Sequence, residues 1–257
     1  MNKQWIDVTA PGKKVEHGHL HPLTQVQNKA IEIFSSMGFE IAEGPEVETE
    51  YCNFDALNIP AEHPARDLWD TFWLRQKSQI SNLPDGKAGL KSQNLLLRTH
   101  TSPVQVRYIE THQPPIRIIA PGKVFRYEAT DASHEIQFYQ LEGLMVDKNI
   151  TLANLKAVME IFFQIFFSKN IEVRLRPSYF PFVEPGVEID MKYNGKWMEV
   201  AGAGMVHPRV LENAGLNFND WQGFAFGMGM DRLAMIKYKI NDVRLFYSSD
   251  LRFIKQF

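Results

Sequence analysis

The sequence predicts an α+β protein built on an antiparallel β-sheet flanked by helices. Two observations carry that prediction. Segments of alternating apolar and polar residues, such as "IEVRLR" and "VEIDMKYNGKWMEV", are linked by turn signals instead of crossover helices, and hairpin-linked strands pair antiparallel. Helix-period segments stand near both ends and in the middle of the chain. No internal repeat or low-complexity stretch interrupts the 257 residues, so residues 1–257 are expected to form a single unit with a large core.

The elements follow in order. Leu23, Val26, Ala30, Ile33 or Phe34, and Met37 recur at helical spacing, and Gly38 is expected to cap that first helix. "FEIAEGPEVE" reads as a short strand broken at Gly44-Pro45, and Asp67 to Lys91 as a loop or loose hairpin rich in turn formers. "QNLLLRTHTSPVQVRYIETHQ" gives a strand and then a helix, with Ser102 as N-cap and Pro103 at its first position, where a missing N–H costs nothing. "PPIRIIAPGKVFRYE" and "IQFYQLEGLMVD" are two strands joined by the polar loop "ATDASHE". Thr151 caps a helix running to Phe167, with Leu155, Val158, Phe162 and Ile165 expected to face inward. Asn194-Gly195 marks a type I′ hairpin between two alternating strands.

Composition narrows the function classes. A formal charge of −2 and a pI near 6.5 give no overall basic footprint, so any nucleic-acid contact needs a local patch or another subunit. The one cysteine, Cys52, supports no disulfide framework, there is no Cys/His zinc spacing, and the residue reads as small core filling in a reducing cytosol. No apolar stretch reaches membrane-spanning length and the N-terminus lacks an apolar signal core, so a soluble cytoplasmic protein is expected.

Two segments carry candidate chemistry. In "GKVFRYE", alternation puts Arg126 and Glu128 on one face of a strand, where they form either a phosphate-binding fork with its orienting acid or a solvated ion pair. On the next strand Phe138, Gln140 and Glu142 share a face, a row able to stack a ring and hold an ammonium group. In "GFAFGMGMDRLAM", glycines 223, 227 and 229 permit close approach of a ligand or a second backbone. Arg232 then falls in the first turn of a helix, where the macrodipole disfavours a cation; its compensating anion is either a neighbouring acid such as Asp231 or a ligand.

Together these segments resemble the class II aminoacyl-tRNA synthetases. "TQVQNKAIEIFSSMGFEIAEGP" (about 24–45) is similar to motif 1, "FRYEATDASHEIQF" within 122–143 to motif 2, and "GFAFGMGMDRLAM" within 223–238 to motif 3. "FDALNIPAEHPARD", "LLRTHTSPVQ", "FYQLEG", "RPSYFPFVEP" and "GAGMVHP" narrow the likeness to the α subunits of bacterial phenylalanyl-tRNA synthetases, from about Ile6 onward.

The resemblance implies ATP-dependent activation of L-phenylalanine to phenylalanyl-adenylate and transfer to tRNA(Phe). The nucleophiles belong to the substrates, so the protein contributes positioning and charge stabilisation. By similarity Arg126 clamps the α-phosphate and Arg232 the γ-phosphate, while Phe138 stacks on adenine beside Glu128. Gln140 and Glu142, with His100 and Ser102, are implied at the substrate ammonium; Phe180, Phe182 and Ala225 are implied around the phenyl ring. Mg2+ bridging the ATP phosphates is implied, with Glu184 as its protein ligand; Glu188, Asp190 and Glu199 are runner-up acids, read first as the exposed face of a hairpin. The implied partner is a β subunit in an (αβ)₂ heterotetramer, and the apolar stripe of the motif 1 helix together with Trp5, Trp69, Trp73 and Trp221 is expected to mark subunit contacts. Typical bacterial α subunits begin with a long helical arm; here the catalytic region starts almost at Met1, so tRNA binding by this chain alone is expected to be weak.

Overall fold

The computed structural model describes residues 18–64, 70–74 and 94–257, together with positions 7, 9, 12 and 66. Helix α1 (Pro22–Ser36) starts after His21, whose ring accepts the Leu23 N–H at 3.2 Å. Met37 takes the cap position, one residue before the expected Gly38, which follows at φ 83. Strands β1 (Glu40–Ile41) and β2 (Val47–Thr49) lie on either side of Gly44-Pro45, as the sequence predicts. A short helix α2 (Glu50–Asn53) and a 3₁₀ turn (Asp55–Leu57) come next. Most of the expected 67–91 loop lies outside the described residues; within it Trp73–Leu74 forms β3.

Strand β4 (Leu95–Leu97) leads to α3 (Ser102–Thr111). The N-cap of α3 is Thr101, not Ser102, because the Ser102 hydroxyl is taken by the buried carboxylate of Glu142 at 2.5 Å. Strands β5 (Ile116–Phe125) and β6 (Gln137–Asp147) flank the polar loop. Helix α4 (Leu152–Phe167) opens with a capping box in which Thr151 and Asn154 satisfy each other's backbone. Its inward stripe is Leu155, Met159, Phe162, Phe163, Phe166 and Phe167; Val158 is only half-buried and Ile165 is 44% exposed, so the expected stripe is rotated. Twelve of the sixteen α4 positions are apolar, so the sequence leaves room for more than one buried face, and packing against the sheet chooses it.

Strands β7 (Glu172–Phe180), β8 (Val183–Tyr193) and β9 (Lys196–Val206) form a meander. Asn194 and Gly195 both have positive φ, as a type I′ turn requires. Helix α5 (Pro208–Asn213), strand β10 (Gln222–Gly229) and helix α6 (Met230–Tyr238) follow, before a 3₁₀ turn (Val243–Phe246) and α7 (Leu251–Ile254).

Among the described residues seven strands form one sheet in the order β1-β5-β6-β10-β9-β8-β7, antiparallel throughout except for the short β1–β5 pair; β2-β4-β3 form a second, three-stranded sheet. The sheet separates two apolar layers. One side packs on α1, α4 and α6, where Phe34 stacks on Phe162 at 4.6 Å and on Phe226 at 5.2 Å between ring centres. The apolar stripe of α1 is therefore spent on the chain's own core and does not stand free for a partner. Trp221 likewise packs into the second layer, while Trp5 and Trp69 lie outside the described residues. That second layer, built from α3, α5 and the segment around Phe54–Ile59, covers the other face incompletely. The gap over the centre of the sheet is the cavity described next. Among the described residues no helix is long and apolar enough to cross a membrane.

Candidate active site

Strand alternation builds the site. Leu141 points into the helix-covered core, so its neighbours Gln140 and Glu142 emerge on the opposite face, as the sequence predicts. On the adjacent β10, Ala225, Gly227 and Gly229 stand opposite Leu144, Glu142 and Gln140, and on β9 Gly204 and Gly202 stand opposite Ala225 and Gly227. This floor of small residues is the structural reason for the glycine-rich strand. A Cβ at Gly227 would lie 3.0 Å from Gln140 Nε2 and 3.2 Å from Glu142 Cγ, and one at Gly202 would lie 2.9 Å from the Phe180 ring.

The resulting cavity has a volume of about 290 Å³. One end is polar, with His100, Ser102, Gln105, Arg126, Gln140 and Glu142; the other is closed by Phe180, Phe182, Ala225, Leu144, Val206 and Ile109. Phe180 and Phe182 share the cavity because a turn, not continuous strand alternation, joins them; their rings stack at 6.0 Å and 21°. The Asn58 amide donates to the Pro181 carbonyl at 2.7 Å and pins that turn.

Electrostatics concentrate at the polar end. Glu142 is 5% exposed and accepts hydrogen bonds from Thr101 N–H (3.2 Å), Ser102 Oγ (2.5 Å) and Gln105 Nε2 (3.0 Å). Burial pushes its carboxyl up to about 7, against the pull of those donors and of the Arg98 and Arg126 guanidinium groups. Burial with the nearby Arg126 charge holds His100 down at about 3, so its imidazole is neutral. The Gln140 Oε1 atom is buried without a hydrogen-bond partner among the described residues, and Gln140 lines the cavity, where a ligand ammonium would satisfy it. Arg126 donates from Nε to the Thr99 carbonyl at 3.3 Å and lies 5.1 Å from the Phe138 ring centre. Among the described residues it makes no salt bridge, so its desolvated fork remains available to an anion.

The structure thus brings His100, Ser102, Arg126, Gln140, Glu142, Phe180, Phe182 and Ala225 to one cavity, with Phe138 beside Arg126 and Glu128 two residues further along. Arg232 sits outside that lining, exposed in the first turn of α6, with its Cβ against Gly229, the register partner of Gln140. Asp231 does not compensate it. That carboxylate is buried and occupied by the Tyr139 N–H at 2.8 Å and the Tyr247 hydroxyl at 2.5 Å, which leaves Arg232 without an ion pair among the described residues.

Glu184 is also outside the lining: its side chain is 74% exposed and meets His207 at 3.3 Å. Of the further acids, Asp190 is buried in an ion network with Arg174 and Arg176, Glu188 pairs with Arg176, and Glu199 alone reaches the cavity wall. Two contributors escaped sequence reasoning. Gln105 stands three residues after Ser102 on α3, an i,i+3 spacing that puts both on Glu142. Arg98, in the quoted "LLRTHTSPVQ", is buried beside the polar end.

A cavity that offers a neutral histidine, a carboxylate, an unpaired guanidinium and an aromatic end can hold a zwitterionic aromatic amino acid next to an anion. Comparisons with known proteins agree. The model of the tRNA synthetases class II core domain (F) matches residues 5–257. The phenylalanine–tRNA ligase alpha subunit of Dehalococcoides mccartyi (strain CBDB1) is 50% identical over 98% of this chain and 73% of its own length. That of Caldicellulosiruptor saccharolyticus is 51% identical over 100% and 74%, and that of Klebsiella pneumoniae subsp. pneumoniae is 51% identical over 98% and 72%. The fold is also that of pyrrolysyl-tRNA synthetase from Desulfitobacterium hafniense, with a TM-score of 0.65 at 19% identity over 89% of this chain and 74% of the other. Sequence, fold and cavity converge, and the chain belongs to the phenylalanine–tRNA ligase α-subunit family within the class II aminoacyl-tRNA synthetases.

Proposed function

We propose that the cavity over β6, β9 and β10 is the adenylation site, in which L-phenylalanine and ATP react before the acyl group passes to tRNA(Phe). The observation that carries this reading is the single cavity running from Glu142, Gln140 and Arg126 at one end to Phe180, Phe182 and Ala225 at the other. In this reading Gln140 and Glu142 hold the ammonium, with His100 and Ser102 closing the polar end, and the apolar end takes the ring. The substrate carboxylate attacks the α-phosphorus of ATP, the bond to the bridging oxygen breaks, and pyrophosphate leaves. Arg126 faces the charge that builds on the α-phosphate, and Arg232 reaches the outer phosphates; Phe138 and Glu128 serve the adenine. These residues need only hold and neutralise, because both reacting groups come with the substrates.

Among the described residues no cluster of three or more metal-ligating side chains is present, while Glu184 and Glu199 offer single exposed carboxylates. That donor set fits Mg2+, which keeps waters and phosphate oxygens and takes one or two carboxylates; we assign Glu184 as its protein ligand. When bound, the ion neutralises phosphate charge. The chain is read as one catalytic unit over residues 1–257, working in the cytoplasm with a β subunit in an (αβ)₂ assembly.

Phenylalanine-dependent ATP–pyrophosphate exchange tests the reading, with the chain alone and with a bacterial β subunit, and with Arg126→Ala as control. Exchange that needs both phenylalanine and Arg126 supports it. A folded, β-paired chain without exchange would refute it.

A further inference from the structure

Arg98 is 4% exposed and makes no salt bridge among the described residues. Its partners are backbone carbonyls from two separate segments. Nε donates to Lys123 O at 2.8 Å on β5, and Nη1 donates to Gly44 O at 3.1 Å and Pro45 O at 3.3 Å. The guanidinium packs close over Gly122 of β5: a Cβ there would fall 2.2 Å from Nη2. The backbone around Arg98 extends the same clamp, because the Phe125 N–H donates to Arg98 O at 3.0 Å and the Arg98 N–H to Glu46 O at 3.0 Å. One residue further, Thr99 O accepts from Arg126 Nε at 3.3 Å.

Burial pushes the Arg98 guanidinium below its usual range, against the nearby charges of Glu46, Glu142 and Glu48. An apolar residue of similar volume would avoid desolvating a charge but would leave the Lys123, Gly44 and Pro45 carbonyls without this donor, so the arginine both joins the segments and satisfies them. What the arginine adds is direction: it fixes the strand end that carries Arg126, and the adjoining Thr99 carbonyl holds the head of Arg126. We propose that Arg98 is a positioning residue for adenylate formation, setting the Arg126 fork through three carbonyl bonds and the space left by Gly122. The inference rests on the reading of Arg126 as the phosphate-binding group.

The test uses the chain assembled with its β subunit and measures ATP–pyrophosphate exchange for Arg98→Lys, Gly122→Ala, the double variant and Arg126→Ala, with melting temperatures in parallel. Both single variants keep the positive charge. Lysine lacks the planar fork, and the Gly122→Ala methyl meets the guanidinium end of Arg98, which must shift, so the melting temperature reports whether each variant keeps its fold. Ångström-scale misplacement of Arg126 should lower kcat on the order of tenfold to a hundredfold, with the KM for phenylalanine unchanged. Gly122→Ala should add less than about twofold when Arg98 is already lysine, because the atom it displaces is gone.

If Arg126→Ala abolishes exchange while folded Arg98→Lys and Gly122→Ala stay within twofold of wild type, the Arg98 inference falls alone. If Arg126→Ala leaves exchange intact, the reading of Arg126 falls and takes the inference with it. A loss in which kcat and phenylalanine KM worsen together with the melting temperature would mean that Arg98 serves stability only.

Discussion

Replacing Glu142 by glutamine should stabilise the chain at neutral pH while abolishing phenylalanine activation. The magnitude follows from burial. The carboxyl is displaced from an ordinary 4.5 to about 7, so at roughly 1.4 kcal/mol per pH unit its ionised form is about 3 kcal/mol worse off in the folded than in the unfolded chain. Because the folded-state value is the higher one, this contribution to stability is fully present below pH 4.5 and is lost as pH rises through about 7. His100 acts with the opposite sign. Its imidazole is held at about 3 instead of 6.5, so its contribution is present above 6.5 and is lost as pH falls toward 3. The two trends overlap, so the wild-type curve alone is uninformative and the difference between wild type and Glu142→Gln isolates the carboxylate. Equilibrium urea unfolding from pH 4.5 to 8 would measure it. The variant should gain about 2–3 kcal/mol on wild type across that window, less whatever the amide loses by facing the Gln105 donor. Parallel curves would refute the argument that a buried carboxylate, only partly compensated by its donors and the two arginines, is kept here for the substrate.

Three further outcomes follow from the same cavity. Ala225→Gly should let para-substituted phenylalanines into adenylate formation by lowering their KM, and unchanged discrimination in pyrophosphate exchange would remove Ala225 from the ring pocket. Arg232→Ala should leave the unfolding free energy within about 0.5 kcal/mol, since the side chain is exposed and without an ion pair among the described residues, yet raise the KM for ATP; equal ATP kinetics would refute its phosphate role. His100→Asn should flatten the loss of stability between pH 6.5 and 4, read by thermal unfolding, because the buried imidazole no longer has to take up a proton; an unchanged acid limb would show that other groups govern it.

Most of the architecture was legible because it rests on local signals. Period-2 alternation put Gln140 and Glu142 on one face and Leu141 on the other, and Asn194-Gly195 fixed a hairpin by backbone preference alone. The motif segments pointed to the residues that the cavity gathers. Local rules failed where a distant group competed for the same atom or face. Ser102 left the cap position because a carboxylate on β6 bonds its hydroxyl, and α4 turned Ile165 outward because the sheet selected one face of a mostly apolar helix.

The sequence by itself determined the sheet, its strand faces and the residue types of the site, since each depends on the order of neighbours along the chain. Only the tertiary structure decided which partners those residues have: that Asp231 serves Tyr139 and Tyr247 and leaves Arg232 without an ion pair among the described residues, that Phe180 and Phe182 meet across a turn, and that Arg98 reaches carbonyls on two other segments. Those choices depend on desolvation and on contacts between segments far apart in the chain, and no local pattern encodes them.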